Sequence, residues 1–352
     1  MSLDSYRTLG RSGLRVSPLA LGAMNFDDGS WGSGPEQSFA ILDRYVERGG
    51  NFVDTANGYN GGASEQTLGD WFRARPGSRD RTVLATKFGA TMRPEDPNAG
   101  GASRKAIHEQ LDASLRRLQT DFVDVYWMHQ YDRHTPLEET LSTLDDLVRA
   151  GKVRAIGVSN TPAWWIARAL TIAEFRDRAP IAALQDEYSL LARTPEGEQF
   201  GAAREFGLAV LPWSPLASGA LSGKYTRRNQ TAPGSGRAGY VASQLTDDLY
   251  DLIDTLHRIA DEVHGTVASV ALAWVRQQDV VTSTLIGART LEQLDQNLAS
   301  IDVELTAEHL DELSNATTPT LDYPATVMES ISTPFQYGST TINGLTSTAF
   351  QR

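Results

Sequence analysis

Cysteine is absent from the 352-residue chain, which excludes disulfides and thiolate metal sites. No apolar run approaches the ~18 residues of a membrane-spanning helix. The segment Met1 to Val16 is polar and mixed in charge, without the apolar centre of a secretory signal, so a cytoplasmic location is expected. Net positive charge is lacking as well. A formal charge of −12 argues against a general nucleic-acid or anionic-membrane binder. No Gly-x-Gly-x-x-Gly follows a strand, which argues against a Rossmann dinucleotide site. The stretch Gly219 to Lys224 is one residue short of a phosphate-binding P-loop and lacks its following Ser or Thr. Asn229-Gln230-Thr231 and Asn315-Ala316-Thr317 fit the glycosylation pattern, but without a signal segment they are chance matches.

What is present is a regular alternation. Hydrophobic residues make up 40% of the chain, enough for a full core. Short apolar runs predict strands at 18–21, 51–53, 82–86, 122–128, 153–158, 182–184, 208–211 and 281–286. Between them, Ile107, Leu111, Leu115 and Leu118 recur at helical spacing, as do Leu137, Leu141, Leu144 and Val148. Strands alternating with helices build a parallel sheet, and eight such units favour closure into a (β/α)8 TIM barrel. Helix-to-strand turns are short and glycine-rich, whereas strand-to-helix loops are long: 23–34, 56–63, 89–103 and 214–240. That asymmetry puts the elaboration on the face where barrel enzymes build their sites. Ahead of the first barrel strand, residues 6–16 alternate about Ser12-Gly13 and predict an N-terminal β-hairpin that closes the barrel floor. One domain is expected over 1–352, with a core at about 6–313. The almost uncharged tail at 317–352 either drapes over the mouth or is disordered.

Four polar side chains stand where apolar strands run out: Asp54 after Val53, Lys87 after Ala85-Thr86, His129 after Trp127-Met128, and Tyr59 five residues past Asp54. Singly, Asp54, Lys87 and His129 have ordinary explanations as a helix cap, a solvated loop lysine and a core histidine. Together, at strand ends that meet at one barrel mouth, an acid, a phenol, an ammonium and an imidazole form a proton-transfer set. His134 lies near His129, but no third ligand or acidic cluster accompanies it, and no metal is expected. A further signal is electrostatic. Residues 214–240 hold no acid, yet include Lys224, Arg227, Arg228 and Arg237. With Ser214, Ser218, Gly219, Ser222 and Gly223, this positive island after the seventh strand suits phosphate binding.

The motifs Phe52-Val53-Asp54-Thr55-Ala56 through Tyr59, Ala85-Thr86-Lys87 and Trp127-Met128-His129 resemble the catalytic tetrad segments of the aldo-keto reductases. The resemblance runs from about Tyr6 to Leu313. It implies hydride transfer from NADPH to the carbonyl carbon of an aldehyde or ketone, with Tyr59 as proton donor. A phenol near its reference pKa of ~10 is a poor acid at neutral pH, and an adjacent ammonium stabilises the phenolate. Lys87 would supply that charge, Asp54 would hold it, and His129 would bond the substrate oxygen. The resemblance also implies that Ser159, Asn160 and Gln185 hold the nicotinamide amide, and that Trp213 stacks on its ring where Tyr or Phe is commoner. It implies cofactor contacts at Gly22, Met24, Ser214, Leu216, Ser218, Gly219, Lys224, Arg237 and Gly287. Arg289 and Gln293 would face the 2′-phosphate, with Gln296 and Asn297 at the adenine. Oxidation of an aryl or sugar alcohol would use the same residues, and the family also resembles cofactor-binding regulatory subunits of ion channels. Trp31, Phe88 and Tyr131, on the long loops, are expected to line an aromatic substrate pocket. The expected partner is a small carbonyl compound, without nucleic acid or membrane, and a homo-oligomer is compatible with this reading.

Overall fold

The computed structural model describes residues 2–27, 32–229, 241 and 244–348. The chain opens with the antiparallel pair β1 (Arg7–Thr8) and β2 (Arg15–Val16). Then come eight parallel strands: β3 (Leu19–Gly22), β4 (Phe52–Asp54), β5 (Val83–Phe88), β6 (Val123–Met128), β7 (Val153–Ser159), β8 (Ile181–Gln185), β9 (Ala209–Val210) and β10 (Thr284–Ile286). They pair in chain order, and β10 returns to β3. Between β9 and β10 the sheet closes through a bridge from Val210 to Val281. The Thr282 N–H donates to the Val210 carbonyl at 2.9 Å and the Leu285 N–H to the Pro212 carbonyl at 2.9 Å. The fold is the expected (β/α)8 barrel.

Alternation along each strand sorts side chains between the barrel interior and the helical layer. On β5, Val83 and Ala85 join the inner cluster, while Leu84 and Phe88 join the outer one. Trp127 on β6 fills the interior fully buried. Gly157 on the neighbouring β7 makes that possible, because a Cβ there would overlap the indole ring. The floor is sealed by the N-terminal hairpin, where Leu9 and Val16 pack fully buried against Phe52, Val125, Ala183 and Leu211.

Outside the sheet lie α1 (Pro35–Glu47), α2 (Ala63–Ala74), α3 (Arg104–Leu118), α4 (Leu137–Arg149), α5 (Ala163–Phe175), α6 (Gln199–Phe206), α7 (Asp247–Glu262), α8 (Val267–Arg276), α9 (Leu291–Leu298) and α10 (Ala307–Ala316). The Ser103 hydroxyl caps α3 by accepting from the Ala106 N–H at 3.3 Å. The apolar stripes of α3 and α4 then face the core through Ile107, Leu111, Leu118, Leu137, Leu141 and Leu144. Beyond α10 the tail forms further helical turns and a small hairpin, β11 (Thr341–Ile342) with β12 (Leu345–Thr346). Its start is tied to the loop after β8, where Arg193 Nη1 donates to the Thr317 hydroxyl at 3.1 Å, and Ala325 is buried. Among the described residues no helix is long and apolar enough to cross a membrane.

Candidate active site

Asp54, the last residue of β4, pairs in register with Gly22 of β3 on one side and Ala85 of β5 on the other. Lys87 follows two residues later on β5, on the same inward face. Both side chains are buried, and Lys87 Nζ donates to Asp54 Oδ2. The same ammonium donates to the Thr55 carbonyl at 2.9 Å and meets the Tyr59 hydroxyl at 3.0 Å. It lies 4.7 Å from the centre of the Tyr59 ring. Burial alone would depress the lysine, but the Asp54 carboxylate and Tyr59 more than offset it, leaving its pKa raised. Lys87 is therefore an ammonium at neutral pH. Burial pushes Asp54 upward, opposed by Lys87 and by the Gln185 amide, which donates to Asp54 Oδ1 at 3.1 Å.

His129 leaves β6 one residue past Met128, and its ring meets Tyr59 edge-on with centroids 5.7 Å apart. Burial, and then the Lys87 charge, push the imidazole down to about 3. A lowered pKa means the neutral ring persists at every pH above that value, so no His129 titration is expected between about pH 5 and pH 8. Nitrogen NMR of the imidazole checks this. A protonated ring at pH 6 would remove His129 as a neutral hydrogen-bonding group.

The next strand ends form a connected amide wall. Ser159 Oγ donates to the Gln185 carbonyl at 2.5 Å. Asn160 takes a left-handed backbone with φ 50°, which Asn tolerates better than most residues. Its amide NH₂ donates to Ser159 Oγ at 2.9 Å and to the His129 carbonyl at 3.1 Å, and its Oδ1 accepts from the Trp213 indole at 3.3 Å. β6, β7, β8 and the loop after β9 are thus tied at one mouth.

Beyond Trp213 the chain makes an unusual turn. Ser214, Ala217 and Ser218 all have positive φ without being glycine, followed by Gly219 at 100°. Backbone held in such conformations is costly and clusters at ligand sites, although the N–H groups of Ala217, Ser218 and Gly219 already donate within the turn, to the Ser214 carbonyl at 2.8 Å, Ser214 Oγ at 3.1 Å and the Leu216 carbonyl at 2.8 Å. Lys224 stands over that turn, its ammonium adjacent to Gly219, and Leu216 packs beneath on the core. Arg227 does not join the expected positive island. Its guanidinium is bound by Asp247 at 2.8 Å and Asp251 at 2.5 Å on α7, and so is neutralised by acids that follow it in sequence. Arg237 lies outside the described residues. Across the mouth, α9 begins at Leu291 with Thr290 as its cap. Gln293 Oε1 accepts from the Arg289 N–H at 2.9 Å, leaving the Arg289 side chain partly exposed at the helix start. Gln296 is exposed, whereas Asn297 is buried and donates to the Gly287 carbonyl at 3.0 Å.

Residues 18–317 match the sequence profile of the aldo/keto reductase family. The chain belongs to the aldo/keto reductase family. Among its relatives are an uncharacterised oxidoreductase (YrpG) of Bacillus subtilis, 38% identical over 88% of this chain and 95% of the relative, and the norsolorinic acid reductase stcV of Emericella nidulans, 35% identical over 86% and 79%. An aryl-alcohol dehydrogenase [NADP(+)] of Phanerodontia chrysosporium is 33% identical over 86% and 83%. As a member of this family the protein is an oxidoreductase.

Of the aromatics expected to line a substrate pocket in this aldo/keto reductase, Phe88 is placed elsewhere. Phe88 faces the helices, not the mouth. It is fully buried, with its ring 4.9 Å from that of Tyr126. The cause is the strand period: one residue past inward-facing Lys87, the side chain must point outward. Tyr131 does reach the rim, where its ring meets Trp164 edge-on at 5.9 Å. Trp164, in the first turn of α5 and 57% exposed, is a rim aromatic that pattern reading missed. Its position four residues past Asn160 was the available signal. Met24 is also exposed at the mouth, and its carbonyl accepts from Asn60 Nδ2 at 2.9 Å. Trp31 lies outside the described residues. A cleft of about 470 Å³ opens along Gly89, Thr91, Asp96 and Gly100. Its lining comes from the loop after β5, between Gly89 and Gly101, and does not include Lys87. Among the described residues no group of three His, Asp or Glu is placed to hold a metal ion.

Proposed function

We propose that this enzyme transfers hydride from NADPH to the carbonyl carbon of an aldehyde or ketone, with Tyr59 delivering the proton to the oxygen. One observation carries the reading: a buried ammonium, Lys87, held between Asp54 and the Tyr59 hydroxyl beside a neutral imidazole. NADPH, when bound, supplies the hydride. The chain's own residues then have separable tasks. Lys87 stabilises the phenolate that remains when Tyr59 gives up its proton. Asp54 keeps Lys87 charged and oriented. The neutral His129 ring offers a hydrogen bond to the substrate oxygen. Ser159, Asn160 and Gln185 would grip the carboxamide of the nicotinamide, Trp213 would cover its ring, and the turn at 214–219 with Lys224 would hold the pyrophosphate. Gly22, Met24 and Leu216 would line the cofactor's path, and Tyr131 would border the substrate.

Arg289 and the start of α9 would receive the adenosine 2′-phosphate. The planar guanidinium suits phosphate oxygens, and a charge-assisted bond of this kind is worth roughly 1.5–3 kcal/mol. Arg289→Ala is therefore expected to weaken NADPH by about 10- to 150-fold and to leave NADH almost unchanged, as titrated by quenching of tryptophan fluorescence. Equal losses for both cofactors would make the arginine structural.

The reverse reaction, oxidation of an aryl alcohol with NADP⁺, is a second reading. The exposed Trp164 beside Tyr131 favours flat substrates, and one relative carries an aryl-alcohol dehydrogenase name. The site residues are common to both directions. Following NADPH consumption with a panel of aldehydes, and NADP⁺ reduction with the matching alcohols, tests both. No turnover with either panel would favour a cofactor-binding regulatory subunit.

A further inference from the structure

Asp186 is a buried acid that the proposed reaction does not use. It follows Gln185 at the end of β8, and is 7% exposed. One carboxylate oxygen, Oδ1, accepts from the Asn160 N–H at 3.1 Å, and its own carbonyl accepts from the Trp213 N–H at 2.9 Å. The other oxygen, Oδ2, is buried with no hydrogen-bond partner among the described residues. Burying a carboxylate on a single hydrogen bond is costly. An asparagine would keep the same acceptor for Asn160 without the charge, so holding Asn160 does not by itself account for an acid here.

The company it keeps suggests a use for the charge. Asn160, Gln185 and Trp213 are the residues assigned above to the nicotinamide, and Asp186 touches or adjoins all three. The nicotinamide ring is neutral when reduced and cationic once hydride has left. The strand period after inward-facing Gln185 turns the Asp186 side chain outward, directly behind that wall, and a fixed negative charge buried there interacts with the second state and much less with the first. We propose that the Asp186 carboxylate biases the site toward the oxidised cofactor, stabilising the positive charge that the ring acquires as hydride departs.

This inference rests on the nicotinamide reading of the wall. The groups facing Asp186 from the loops after β7 and β9, Asn160 and Trp213, are uncharged. Its titratable neighbours are Glu187 along the chain and, across Asn160, the neutral His129. Burial lifts the Asp186 pKa to about 6, so the charge is present at neutral pH and fades below that value.

Calorimetric titration of NADP⁺ and NADPH into the wild type, Asp186→Asn and Trp213→Ala tests the proposal. The 2′-phosphate is common to both cofactors and cancels in their ratio. Asp186→Asn is expected to weaken NADP⁺ relative to NADPH by about three- to thirtyfold. In the wild type a loss in the same direction, about two- to fourfold because Asp186 is only partly protonated there, should appear on going from about pH 8 to about pH 5.5, and in the variant the ratio should stay flat. An unchanged ratio in Asp186→Asn, or equal losses for both cofactors, would overturn the electrostatic role. Melting temperatures of the variants identify any loss due to unfolding. Trp213→Ala probes the underlying reading. If it leaves both affinities at wild-type values, the nicotinamide does not lie against this wall, and the proposal falls with that assignment.

Discussion

Replacing Tyr59 by phenylalanine is expected to lower kcat by about 10²–10⁴-fold, the usual contribution of a general acid. NADPH affinity should stay near wild type. The substitution removes one oxygen and nothing else from the site. Most residues assigned to the cofactor leave from β7, β8, the loop after β9, and α9, with Gly22 and Met24 at the end of β3, whereas Tyr59 stands in a short turn after β4. Single-turnover measurement separates the two quantities. Turnover at wild-type rates in the variant would move the proton-donor role elsewhere, and lost NADPH binding would mean that the ring itself shapes the cofactor site.

Lys87→Met should have two effects from one cause. Turnover should fall at least as far as in Tyr59→Phe, because no cation remains to stabilise the phenolate, and raising the pH should not restore it. Stability should fall too. Asp54 is 1% exposed and would be left without its counter-charge; breaking a buried pair in this way typically costs about 3–5 kcal/mol. Adding Asp54→Asn to Lys87→Met should recover much of that stability and none of the activity, since the amide removes the orphaned charge without replacing the ammonium. Denaturant titration and NADPH oxidation at two pH values read the two effects. A Lys87→Met enzyme with wild-type rate and pH profile would show that the lysine does not tune the acid.

Much of the barrel was legible because period-two apolar runs and glycine turns are local signals. The strands fall within a residue or two of the expected positions, except that 281–286 begins three residues later, at Thr284. The meeting of Asp54, Tyr59, Lys87 and His129 was legible for a topological reason: strand ends of a parallel barrel share one face. What failed depended on geometry or on distant residues. Phe88 was misplaced because a loop aromatic and an outward strand aromatic look alike until the strand's last residue is known. Arg227 looked free because its acids, Asp247 and Asp251, come twenty or more residues later on α7. Asp186 carries no sequence signal of its own, since neither its burial nor the idle oxygen of its carboxylate leaves a trace in the sequence.

The join between β9 and β10 has a consequence for how this enzyme and its cofactor depend on each other. Where β6 and β7 share five registered pairs, β9 and β10 meet through the single bridge of Val210 with Val281 and a few loop bonds. The two segments assigned to the cofactor's pyrophosphate and adenosine, from Trp213 and from Gly287 onward, leave from opposite sides of that seam. A dinucleotide bound to both would act as a clasp, and its binding free energy would become resistance of the barrel to opening. At a concentration 100 times Kd this linkage amounts to ~2.7 kcal/mol. The empty enzyme would then exchange amide protons and admit proteases first along β9 and β10, and a cell short of NADPH would hold this enzyme in its most perishable form.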